Sequence, residues 1–136
     1  MPKYRLIDHT ADTGLEAYGK TMAEAFANAA FGLFSIITDL RKVRLKESRN
    51  IEIAEHDSEA LLFEWLNYLL YVFDVETLIF KKFDIKYFNG KKLNAVCWGE
   101  KYDPLRHQLR TGVKAATYHM MQVDPKHNKV RVILDI

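Results

Sequence analysis

Asp8-His9-Thr10-Ala11-Asp12, with Gly14 close behind, packs two carboxylates, an imidazole and a hydroxyl into five residues. The segment reads as a small polar loop between two short alternating stretches. Hard cations want several oxygens at short range, and a loop can aim carboxylates and main-chain carbonyls at one point. The spacing is not that of an EF-hand, which needs regular Asp positions and a distal Glu, and it holds no His–His zinc pattern. The ordinary alternative, which local sequence alone favours, is an Asx-turn capping a strand end.

A second acidic point is expected at the other end of the chain. There the α-carboxylate of Ile136 would lie one residue from the Asp135 side chain, behind the apolar strand residues Val130, Val132, Ile133 and Leu134. If Asp12 met this pair, three carboxylates would converge. Two unit charges about 6 Å apart repel by roughly 3 kcal/mol at an effective dielectric of 20. A divalent cation or a raised pKa would relieve that. The ordinary alternative is a solvated chain end.

Other residues carry weaker signals. His107 falls in a polar loop. His119 shares a strand face with Ala115, Thr117 and Met121 and reads as an inward, hydrogen-bonded histidine rather than a base. Cys97, between Val96 and Trp98, reads as a small core residue. Arg106, Arg110 and Lys114 near Gly112 suit a solvated basic edge better than an anion site. The chain has no phosphate-cradling Gly-rich loop, no G-x-S-x-G elbow and no paired-Cys zinc signature. Composition and spacing therefore yield no catalytic set and, at most, an oxygen-ligand metal site.

The elements that must position these residues follow from periodicity. Residues 3–8 and 15–19 alternate as strands. Thr21-Met22-Ala23-Glu24 is a capping box: Thr21 accepts from the Glu24 amide, and the Glu24 carboxylate is expected to return to the Thr21 amide. Ala25, Phe26, Ala29, Leu33, Phe34 and Ile37 then keep helical spacing to about residue 38. Residues 43–54 alternate as a strand. Asp57 is the next N-cap, and its helix runs to about Val75. That helix is apolar nearly all round, so cover on two sides is expected. Residues 78–88 and 92–101 flank Asn89-Gly90, a dipeptide suited to a type I′ hairpin turn. A second hairpin is expected from 113–123 and 129–135, after a polar loop over 102–112.

The order predicts an α+β fold with two helices and mostly antiparallel sheet. It parses as one domain, 1–136, of two nested strand–helix–strand–strand modules. The outer module takes 1–41 plus 103–136, and the inserted one takes 42–102. The chain is 136 residues long, 49% apolar and 28% charged, with a net charge of +2. So small a charge argues against strong direct nucleic-acid binding, which needs a basic stripe and counterion release. The most apolar run, 60–73, is shorter than the roughly 20 residues of a membrane helix. A single cysteine and the lack of a charged-then-apolar leader suit a reducing cytoplasm.

Three blocks resemble the archease family: Asp8-His9-Thr10-Ala11-Asp12 with Gly14, Gly112-Val113-Lys114-Ala115-Ala116-Thr117-Tyr118-His119, and the ending Leu134-Asp135-Ile136. Gly99-Glu100-Lys101-Tyr102-Asp103 with His107 adds to the likeness. The resemblance implies the nested-module fold and a non-enzymatic accessory protein of the tRNA-splicing RNA ligase, which seals 2′,3′-cyclic phosphate and 5′-hydroxyl ends. Such proteins promote the ligase's GTP-dependent guanylylation and its multiple turnover. By position, the implied metal ligands are Asp12, Asp135 and Ile136, for Ca²⁺, Mg²⁺ or Mn²⁺. Asp8, His9 and His119 are supporting or partner-facing candidates. The resemblance also implies an alternative role as chaperone of a tRNA methyltransferase; such a chaperone would act through apolar surface near the 57–75 helix or through dissociation of a homo-oligomer. A third reading, a small metal-dependent phosphohydrolase, lacks a clear base beyond His9 or His119.

Overall fold

The computed structural model describes residues 2–9 and 12–136, with Asp8 and His9 through their backbone alone. Its elements are β1 (Tyr4–His9), β2 (Asp12–Tyr18), α1 (Met22–Ile37), a 3₁₀ turn (Leu40–Lys42), β3 (Glu47–Ala54), α2 (Ser58–Glu76), β4 (Leu78–Phe88), β5 (Lys92–Lys101), β6 (Ala115–Asp124) and β7 (Lys129–Asp135). All strand pairings are antiparallel, so the fold is α+β.

Two sheets form. One has the order β1-β2-β7-β6 and the other β3-β5-β4. Helix α1 packs on β2 of the first sheet and β4 of the second, while α2 leans on β6 and also touches β3, β4 and β5. The helices thus share one apolar core with both sheets. Trp65, Phe26, Phe34, Phe80, Leu15 and Leu66 are fully buried in it. The Trp65 indole N–H, which burial would otherwise strand, donates to the Phe26 carbonyl at 3.0 Å, tying α2 to α1. The broad apolar girth of α2 is only partly covered: Leu61 and Val72 are buried, whereas Tyr68, Tyr71 and Val75 face solvent.

Local signals place the helix starts. Thr21 Oγ1 accepts from the Glu24 amide, and Asp57 Oδ1 accepts from the Ala60 amide. The Glu24 carboxylate returns to the amide of Lys20, one residue before the expected Thr21. The β4–β5 turn also differs from expectation. Only Gly90 has a positive φ, at 89°, so the tight turn centres on Gly90-Lys91 and a type I′ turn at Asn89-Gly90 is not formed. Asn89 instead caps the turn, its Oδ1 accepting from the amides of Lys91 and Lys92.

Three strand bounds move. β3 begins at Glu47 rather than at residue 43, because Asp39 caps the 3₁₀ turn and Val43 closes it. β6 begins at Ala115 rather than at 113. The third change concerns the acidic motif. The segment expected as a loop is mostly strand: β1 runs through His9 and β2 starts at Asp12, leaving Thr10 and Ala11 outside the described residues.

Candidate metal centre

Strand β2 is the hinge between the two ends of the chain. It pairs with β1 on one side and with β7 on the other. Leu15 and Ala17 turn their side chains to the core and are fully buried, so Gly14 and Glu16 belong to the opposite face. On that outer face Glu16 stands across from Arg131 and Gly14 across from Ile133. The Glu16 carboxylate accepts from Arg5, Tyr18 and Arg131. Burial pushes the Glu16 carboxyl up, and those three bonds bring it below its ordinary value.

The register ends with Thr13 across from Leu134. Continued by one residue, it sets Asp12 directly opposite Asp135, on the same outer face. Directly opposed residues on antiparallel strands have Cβ atoms about 4.5–5.5 Å apart. Like charges at such positions are destabilising unless something neutralises them. Asp12 is half-buried, while Asp135 and Ile136 are exposed. The end of β7 is moored on its other side as well: Ala115 pairs with Asp135, and the Lys114 amide donates to the Asp135 carbonyl at 2.7 Å. That bond occupies the Asp135 main-chain oxygen, leaving its carboxylate for other partners.

The supporting candidates divide. Asp8 pairs in register with Thr13 and His9 with Asp12, so His9 occupies the row of Asp12. His119 does not belong to that row. The β6–β7 ladder is regular to Thr117↔Ile133 and resumes only at Gln122↔Arg131, so residues 118–121 bulge from the sheet. Met120 takes a left-handed φ of 52° there. His119 is exposed rather than inward, because the face it shares with Ala115 and Thr117 is the outer one: those residues pair with Asp135 and Ile133, while buried Ala116 faces the core. No cluster of three or more His, Cys, Asp or Glu side chains gathers among the described residues. A cation at the β2–β7 end would have two carboxylates, with main-chain and Ile136 oxygens, to draw on. Such hard donors suit Ca²⁺, Mg²⁺ or Mn²⁺ better than zinc.

A second polar centre escaped the sequence reading. Glu100 on β5 and His107 in the following loop are both buried. The Glu100 carboxylate pairs with Arg106 and accepts from the Arg44 amide at 2.8 Å. It also meets His107 Nε2 at 3.0 Å, while His107 Nδ1 accepts from the Asp103 amide at 2.9 Å. Hence Nε2 carries the imidazole proton and donates to Glu100. Burial pushes the Glu100 carboxyl up, but the bonds from Arg106, Arg44 and His107 outweigh it and hold it at about 2. This cluster staples the 102–110 loop to β5. Arg106 is committed here and Arg110 approaches Asp39, so the two do not build an anion site with Lys114. Cys97 is a core residue, its thiol pushed up to about 12 by burial and by Asp84.

Known proteins share this sequence and architecture. An archease from Sulfurisphaera tokodaii is 43% identical over 129 residues, covering 94% of this chain and 93% of its own. One from Sulfolobus acidocaldarius is 38% identical over 139 residues and covers both chains completely. The solution structure of a Methanobacterium thermoautotrophicum protein superposes with a TM-score of 0.83 at 37% identity over all of both chains. A Thermotoga maritima archease, described as a possible chaperone, shares the fold at a TM-score of 0.56 and 20% identity, over 96% of this chain and 94% of its own. No helix among the described residues is long and apolar enough to cross a membrane. With residues 4–136 matching the archease protein family as well, the chain belongs to that family.

Proposed function

We propose that this protein is a metal-dependent accessory factor that activates the tRNA-splicing RNA ligase, promoting its GTP-dependent guanylylation and multiple turnover. Membership of the archease family supports the reading. The observation that carries it is the Thr13–Leu134 pair that ends the β2–β7 ladder, which leaves Asp12 and Asp135 as the next residue on each strand. Asp12, Asp135 and Ile136 would hold a divalent cation, with Asp8 and His9 in the neighbouring strand. A cation held there would screen triphosphate charge at the ligase site. The chain's own residues supply a stiff mount: β7 is laddered to β2 as far as Leu134 and to β6 as far as Asp135, so the acidic end is held in place. Glu100 and His107 hold each other inside the protein and fasten the loop that follows β5. The test is ligase guanylylation with GTP and metal. Asp12→Ala, with an unchanged circular dichroism spectrum, is expected to abolish stimulation. Normal stimulation by that variant refutes the proposal.

A second reading is favoured by a different feature. Tyr68, Tyr71 and Val75 form an exposed stripe on α2, and Tyr118 and Met120 are exposed on β6. Apolar surface of this kind suits a chaperone of a tRNA methyltransferase or another tRNA-processing enzyme. Suppression of client aggregation should then survive Asp12→Ala and fall with Tyr71→Ser and Val75→Ser.

A further inference from the structure

Far from the acidic end, a trough runs between the two sheets. Its floor is the solvent-facing flank of α1, where Ala27, Asn28 and Phe31 line it. One side is the segment around Lys3 and Lys20, and the other is β4 from Lys81 to Lys86. Its largest part has a volume of about 770 Å³. Both neighbouring strands, β1 and β4, are the outermost of their sheets, so each has one side of its backbone without a strand partner.

The charge here is not that of the molecule at large. Five lysines (Lys3, Lys20, Lys81, Lys82 and Lys86) line the trough against two carboxylates, Glu24 and Asp84. The lining is thus net +3, while the whole chain is only +2. The Lys3 ammonium sits 4.4 Å over the Phe31 ring, and Lys81 donates to the Val43 carbonyl. Lys82 lies 3.8 Å from Asp84. Lys82 and Lys86 are exposed.

We propose that this trough docks an acidic, extended polypeptide segment of a partner, which adds to the free edge of β4. The register of β4 with β5 shifts at Lys81 and again at Lys86, leaving a regular run from Lys82 to Ile85 between them. Such a run can ladder with a short strand, because main-chain bonds give affinity and side chains give selection. Lysines and bulges on an edge discourage pairing with a second copy of the same edge. The same lysines attract a strand of opposite sign. A nucleic-acid strand fits less well. It needs bare aromatic faces on which bases stack, but Phe31 is covered by Lys3, and Phe83 packs against Phe34, Phe80 and Trp65. The proposal stands on β4 and is independent of the metal reading.

The test uses the full chain and three fluorescent probes in anisotropy titrations at low salt. They are a peptide alternating Glu and Val, the same peptide N-methylated at alternate residues, and an oligouridylate of equal charge. The unmodified peptide is expected to bind, and both N-methylation and the double variant Lys82→Glu/Lys86→Glu should each weaken it by about tenfold or more. These two residues are exposed, so the variant keeps its fold, which circular dichroism verifies. The proposal is overturned if the peptide does not bind, if either change leaves its affinity intact, or if the oligouridylate binds more tightly.

Discussion

Asn67 on α2 closes a ring with the main chain of Ala116 on β6. Its Oδ1 accepts from the Ala116 amide at 2.8 Å, and its Nδ2 donates to the Ala116 carbonyl at 3.2 Å. β6 is the outermost strand of its sheet, so this carboxamide takes the place of a missing neighbour strand. Ala116 lies across from Leu134, one position before Asp135, so the ring also steadies the acidic end.

Removing that carboxamide should loosen β6. Asn67→Ala leaves a half-buried amide and carbonyl without their partner, at a cost of about 2 kcal/mol. Urea denaturation measures the loss, and amide exchange at Ala116 should accelerate more than at Leu15.

The opposition of Asp12 and Asp135 predicts two effects of opposite sign. Asp12→Asn should weaken Ca²⁺ binding by at least about tenfold, because one charged ligand is gone. With EDTA present, the same variant should be as stable as the parent or more so, because a like-charge pair across neighbouring strands is relieved. Calorimetric titration and thermal melts read the two effects. A variant less stable than the parent in EDTA would show that these carboxylates do not repel.

Acid should act through Glu100. Its carboxyl is held at about 2 in the folded protein against an ordinary 4.5. A depressed carboxylate contributes stability that is fully present above about pH 4.5 and is lost as pH falls toward 2. Glu100→Gln should cost about 3 kcal/mol at neutral pH, since Arg106 and His107 lose their buried partner. It should also flatten the fall in stability between pH 4.5 and 2. Urea midpoints across that range provide the check.

Gly99 should not accept a side chain. A Cβ there would collide with the Ile79 carbonyl oxygen, in the stretch where β4 bulges against β5. Backbone cannot yield as a flexible side chain does, so Gly99→Ala is expected to cost about 2–3 kcal/mol. Guanidinium denaturation of the purified variant measures it.

The features legible in the sequence are those set by neighbours along the chain. The caps at Thr21 and Asp57, the apolar spacing of α1 and the β4–β5 hairpin depend on a few adjacent residues. They formed within a residue or two of where they were expected. The family likeness was legible for a related reason, since its blocks are short and contiguous.

Tertiary structure decided the rest, because it depends on pairing between distant segments. The acidic motif reads as a loop when taken alone. Pairing with His9 of β1 extends β2 back to Asp12, and the β2–β7 ladder, which ends at Thr13 and Leu134, leaves Asp12 and Asp135 as the next residue on each strand. Alternation groups His119 with Ala115 and Thr117, but only their pairing with Asp135 and Ile133 reveals that this is the outer face, and only the ladder reveals the bulge at 118–121. The Glu100, Arg106 and His107 cluster exists only once the 102–110 loop folds back over β5. Nothing in the local spacing of a glutamate and a histidine distinguishes that burial from solvent.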